Sequence, residues 1–119
     1  MATFSRVLLS GSTDGLPIKV SGTATGSANT IHTAIAGSTA FDEIYLWVAN
    51  TSASAATLTL EWGSVTDPDG HICKAVSIPA NSPPIPIVAG CVLNNAKVVK
   101  AFAGTANVLN ITGYVNRIQ

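Results

Sequence analysis

Apolar and polar positions alternate with period two along most of this chain, and the clearest alternation runs over residues 42–50. There Ile44, Leu46 and Val48 share one parity while Tyr45, Trp47 and Ala49 share the other. Side chains on a strand point to opposite faces in turn, so apolar residues on both parities predict a strand covered on both sides. Residues 56–62 alternate more simply. Leu58, Leu60 and Trp62 read as inward, and Thr57, Thr59 and Glu61 as outward. The polar stretch 51–55 between the two runs predicts an antiparallel hairpin.

The same pattern recurs on both sides of that pair. Residues 2–9 read as an extended segment with Phe4 and Arg6 on one side and Ser5 and Val7 on the other, either a strand or an arm. Short strands are predicted over 16–20 and 30–35, although 29–37 also resembles a short helix. Further strands are predicted over 71–78, over 85–93 across Pro86 and Gly90, over 97–103, and over 107–118 with Leu109, Ile111 and Val115 on one face. Proline within the 85–93 run fits only an edge or a bulge, because it cannot donate to a ladder. Asp67-Pro-Asp-Gly70 reads as a tight turn, and residues 21–29, rich in Gly, Thr, Ala and Ser, as a loop that touches a partner or stays mobile.

Eight or nine short strands punctuated every eight to twelve residues predict an all-β chain forming a single antiparallel β-sandwich, with the jelly roll as one form of it. The 119 residues fit one domain, with residues 1–15 able to serve as an N-terminal arm.

Composition changes the picture in one respect. Charged residues make up 10% of the chain, against about 25% in ordinary soluble domains. Charge is depleted at the cores of protein-protein interfaces, so so small a share favours an oligomer or lattice component over a free monomer. Six basic and six acidic residues cancel, and no Lys or Arg run could track a phosphate backbone, which argues against nucleic acid. No apolar window reaches the length of a membrane span, and the first residues lack a signal-peptide pattern, so synthesis in a host cytoplasm is expected.

Candidate chemistry is sparse. His71 and Cys73 share one strand face, and Cys91 or His32 could add a third ligand, but structural zinc sites want four closely spaced ligands. Asp67 and Asp69 imitate part of a calcium loop without enough oxygens to complete it. No nucleophile elbow is present, and Asp42 and Glu43, being adjacent, point to opposite faces and cannot act jointly. Neither an enzyme nor a bound cofactor or metal is expected. Cys73 and Cys91 read as small buried hydrophobes, with a bridge open to them if neighbouring strands bring them together. The aromatic rings of Tyr45, Trp47, Trp62 and Tyr114 could stack on sugars, but Trp62 shares the parity of Leu58 and Leu60 and belongs to the core.

The order of Asn50-Thr-Ser, Thr57-Leu-Thr-Leu, Ile78-Pro-Ala-Asn-Ser, Ile87-Val, Val92-Leu-Asn-Asn, Val99-Lys-Ala-Phe-Ala and Val108-Leu-Asn-Ile-Thr-Gly-Tyr-Val resembles small β-sandwich virion proteins of tailed bacteriophages, over residues 42–118. The resemblance implies a noncatalytic capsid decoration or cement protein. Such a protein would clamp the major capsid protein or other virion subunits, often as a homo-oligomer and as a trimer at local symmetry axes. Tail, neck or head-tail joining proteins fall in the same class, and a carbohydrate-binding module is a separate alternative. No site is inherited from the resemblance. The residues expected at a partner surface are Phe4 and Arg6 in the first segment, Thr23 and Thr25 in the 21–29 loop, and Tyr45 and Trp47.

Overall fold

A computed structural model describes residues 2–66 and 70–119 of the chain. They form nine strands: β1 (Phe4–Leu8), β2 (Ile18–Lys19), β3 (Asn29–Thr33), β4 (Phe41–Asn50), β5 (Ala56–Trp62), β6 (His71–Ile78), β7 (Ser82–Leu93), β8 (Val98–Ala103) and β9 (Leu109–Ile118). The strand expected over 30–35 is present as β3, and 29–37 does not form the short helix that it also resembles. One 3-10 turn, Thr25–Ser27, is the only helical element among the described residues. The Asp67-Pro-Asp turn, with its calcium-like carboxylates, lies outside the described residues.

All strand pairings are antiparallel and fall into two sheets. The front sheet runs β1-β9-β4-β7, with β2 beside β1 on the same side of β9, and the back sheet runs β3-β8-β5-β6. The pairs β1·β9, β3·β8, β4·β7 and β5·β6 are nested, as in one long hairpin whose two arms wrap together around a barrel-like core. Eight strands nested in this way make the double Greek key of a jelly roll, with the short β2 as an addition.

The core lies between the sheets. Ile44, Leu46 and Val48 of β4, Leu58 and Leu60 of β5, Val99 and Ala101 of β8, and Leu109, Ile111 and Val115 of β9 are all buried in one cluster. Each large aliphatic side chain so buried contributes about 1.5–3 kcal/mol relative to exposure.

Residues 42–62 are not the hairpin that their pattern predicts. β4 belongs to the front sheet and β5 to the back sheet, so their apolar faces meet across the core rather than lying side by side. Asn50 stands at the crossing. Its side-chain amide donates to Ser54 O (3.0 Å) and Ile78 O (3.1 Å), while its Oδ1 accepts from Ser52 N (2.9 Å) and Ser52 Oγ (2.9 Å). These bonds fold residues 51–55 into a corner and tie it to the end of β6.

Other expectations of burial are corrected as well. Thr59 and Glu61 are buried rather than outward, at 5% and 1% exposure. The chain after Trp62 turns over that end of the back sheet, where Gly63 N donates to Val98 O, and Thr59 Oγ1 accepts from Ala75 N at a bulge in β6. Ile31 and His32, adjacent in sequence, are both buried because the β3 register shifts between Thr30 and His32. Cys91 is exposed on β7, in the sheet opposite to that of Cys73, and both are free thiols.

Proline placement agrees with the sequence. β7 carries Pro83, Pro84 and Pro86 and forms the free edge of the front sheet, with three register shifts against β4.

Candidate interaction face

The front sheet has one face on the core and one turned outward, and register decides which side chains share the outward face. Residues directly opposite in antiparallel strands lie on the same face. Three rows follow: Phe4, Ile118 and Phe41; Arg6, Asn116, Glu43 and Val92; then Leu8, Tyr114, Tyr45 and Ala89. Trp47, opposite Thr112 and Pro86, continues the surface.

An aromatic stack lies at its centre. Tyr45 and Tyr114 stack with centroids 4.9 Å apart and planes 22° from parallel, Trp47 tilts against Tyr114 at 5.9 Å, and the Arg6 guanidinium sits 4.5 Å from the Tyr114 centroid. β9 lies between β1 and β4, so Arg6 and Tyr45 approach the Tyr114 ring from opposite sides. A cation over an aromatic face is attracted by the ring quadrupole, and a partly exposed pair contributes about 0.5–1 kcal/mol.

Hydrogen bonds fix the stack in place. Tyr45 Oη donates to Glu43 Oε1 at 2.8 Å, and Asn116 Nδ2 donates to the same oxygen at 3.3 Å. The bond to the Glu43 carboxylate raises the Tyr45 phenol above its ordinary 10.0. Gly90, at φ +83°, lets the Tyr45 ring lie against β7. A Cβ there would stand 3.2 Å from Tyr45 Oη.

Around the stack the surface is apolar and open. Phe4 is 71% exposed, Leu8 56%, Val92 52% and Phe41 36%. Phe41 and Val92, with Leu93 and Asn94, line a dimple of about 190 Å³.

Of the residues expected at a partner surface, Phe4, Arg6, Tyr45 and Trp47 come together here. Of the two readings of residues 2–9, the structure has the strand, paired with β9 along its length. Thr23 and Thr25 are exposed but elsewhere. Their loop adjoins the Leu109 end of β9 through Val20, whereas Phe4 adjoins Ile118, nine residues along the strand. At ~3.3 Å per residue that is about 30 Å. The 21–29 loop is also internally bonded: Asn29 Oδ1 accepts from Ser21 N and Gly22 N, each at 2.9 Å, and Ser27 Oγ from Thr23 N and Ala24 N. Sequence reasoning missed Leu8, Phe41, Glu43, Val92, Asn116 and Ile118, which only the register brings together.

Two polar clusters lie off this face. At the core, His32, Asp42 and Arg117 form a buried network. His32 Nδ1 accepts from the backbone N–H of Ser10, while the Ser10 hydroxyl accepts from Thr33 N, so the imidazole does not engage that hydroxyl. On the back sheet, Glu61 stands 3.7 Å from His71 and lines a cleft of about 220 Å³ shared with Lys97 and Lys100. No group of three or more His, Cys, Asp or Glu side chains that could hold a metal ion is present among the described residues.

Arg6 and Tyr45 occupy the two sides of the Tyr114 ring, which leaves that ring no open face for stacking on a sugar. Comparison with known proteins found no matching family model, no similar curated protein and no similar solved structure.

Proposed function

We propose that the chain is a noncatalytic structural protein of a tailed-phage virion, of the capsid decoration or cement type. It binds the capsid lattice through the outward face of the front sheet. The observation that carries this reading is the gathering of exposed Phe4, Leu8, Phe41 and Val92 on one face, around the Arg6–Tyr114–Tyr45–Trp47 stack and the polar row of Arg6, Asn116 and Glu43. Large apolar side chains left exposed together on one face mark an interaction site.

Size favours a many-copy assembly over a single partner. Four strands spaced ~4.8 Å apart and about eight residues long cover on the order of 500 Å². Standard interfaces bury about 800 Å² per partner. One such contact is weak, and a lattice that holds several copies at once supplies the rest by avidity.

The test is to mix the purified protein with empty and expanded tailed-phage capsids, and separately with a glycan array. Saturation at hundreds of copies per shell supports decoration, whereas saturation at a handful moves the protein to the neck or tail. Binding to glycans and not to capsids overturns both virion readings. Trp47→Ala should reduce capsid binding at least tenfold with little change in melting temperature. A large loss of monomer stability with binding intact would return Trp47 to a packing role.

A further inference from the structure

A two-sheet sandwich has four edge strands, and three of these are closed in different ways. β7 carries three prolines and is broken by register shifts. β6 is bulged at two points against β5, with Ala75 at φ +49°. β3 is covered by the loop after β1: Gly11 N donates to Ile31 O, and Thr33 N donates to Ser10 Oγ. Gly11 sits so close to the Thr30 and Ile31 carbonyls that a Cβ would collide with them. Prolines, bulges and covering loops are the devices by which sandwiches prevent strand addition.

β1 has none of them. Its five residues contain no proline and pair with β9 in unbroken register from Phe4↔Ile118 to Leu8↔Tyr114. The parity of its hydrogen bonds follows from its end. Thr3 and Gln119 exchange both backbone hydrogen bonds. In an antiparallel ladder such pairs alternate, so Ser5 and Val7 also bond β9, and the N–H and C=O groups of Phe4, Arg6 and Leu8 point away from it. The same three residues turn their side chains to the outward face of the front sheet.

We infer that the free edge of β1 is a strand-addition site for an extended acidic segment of a partner protein. The segment pairs antiparallel with β1 and places an Asp or Glu opposite Arg6, with apolar residues two positions to either side opposite Phe4 and Leu8. Main-chain bonds supply affinity in this mode, and alternate side chains supply specificity. Charge decides the occupant. A second copy in the symmetric register centred on Arg6 would set Arg6 against Arg6 directly across the strands, which is destabilising, whereas a carboxylate there completes a cross-strand ion pair. The inference deepens the proposed function by naming what meets one border of the contact face, and the main-chain part of it rests on β1 alone.

The test uses a labelled peptide of sequence Thr-Val-Thr-Glu-Thr-Val-Thr and its counterpart with Lys in place of Glu, titrated into the full chain. The Glu peptide should bind at least tenfold more tightly, and Arg6→Glu should reverse the order. Amide exchange should slow at Phe4, Arg6 and Leu8 on binding and stay unchanged at Ser5 and Val7. Phe4→Pro should abolish binding with little loss of fold, because its N–H does not serve the β9 ladder. Equal affinity for the two peptides, unchanged exchange at the three outward amides, or β1-to-β1 dimers that exclude the peptide would each overturn the inference. Peptide binding without capsid binding would overturn the proposed function alone, and capsid binding by a chain that binds neither peptide would overturn this inference alone.

Discussion

His32 Nε2 donates a hydrogen bond to Asp42 Oδ2 at 2.7 Å, with both side chains buried, at 1% and 0% exposure. The backbone N–H of Ser10 points at the other ring nitrogen and settles which one carries the proton, since Nδ1 must accept. Asp42 also accepts from Arg117 Nε at 2.8 Å, Arg117 Nη2 at 3.0 Å and Ile35 N at 3.1 Å. One carboxylate thus joins the loop after β1 through His32, the end of β3, and β4 to β9.

Acid should therefore unfold this protein through Asp42. Burial by itself pushes its carboxyl upward, but the hydrogen bonds from Arg117 and His32 and the charge of Arg117 outweigh it and hold Asp42 below its ordinary 3.8. A group with a depressed folded pKa stabilises fully above its unfolded value, and that contribution disappears as pH falls through the folded value. Urea denaturation followed from pH 7 to pH 2 should show the steepest loss below about pH 4. Asp42→Asn should cost ~3–5 kcal/mol at pH 7, because it leaves Arg117 without its partner, and should flatten the acid limb. An unchanged acid limb in the variant would place the pH dependence on other carboxylates.

Asn50 is the second buried polar group on which the topology depends. Asn50→Leu keeps the branching at Cγ and removes all four side-chain bonds, leaving Ser54 O, Ile78 O and Ser52 N without their partner. Ile78 O is the buried one of the three, and a buried backbone group left unpaired costs ~1–3 kcal/mol, so the expected loss is about 1–3 kcal/mol. Chemical denaturation measures it. A loss below about 1 kcal/mol would mean that water or the turn itself satisfies those groups, and that something other than Asn50 directs the crossing between sheets.

These two residues show where the sequence is legible and where it is not. Strands were readable because burial of one face imposes period two locally: β6 spans the expected 71–78, and Leu109, Ile111 and Val115 of β9 turn inward as their parity predicts. Pairing was not readable. Period two over 42–50 and 56–62 is the same whether the strands lie in one sheet or face each other across a core, and what separates the cases is the bond from Asn50 to Ile78, 28 residues away. The interaction face divides similarly. Tyr45 and Trp47 announced themselves as apolar residues on the outer parity of a strand, whereas Phe41, Ile118 and Phe4 form a row only through the register of β1, β9 and β4.

Glu61 marks the limit of parity and leads to the last prediction. As a charged residue between Leu60 and Trp62 it reads as solvent-facing, yet it is 1% exposed, and neither carboxylate oxygen accepts a hydrogen bond among the described residues. The imidazole of His71 stands 3.7 Å away, beyond hydrogen-bond length. A buried ion pair without good geometry does not recover its desolvation cost, so removing the charge while keeping the shape should help the fold. Glu61→Gln is expected to stabilise by ~1 kcal/mol at pH 7 in urea denaturation. If Glu61→Gln instead destabilises by 1 kcal/mol or more at pH 7, the Glu61–His71 pair is a net source of stability. The back-sheet cleft beside Lys97 and Lys100 would then be held together by charge rather than by packing.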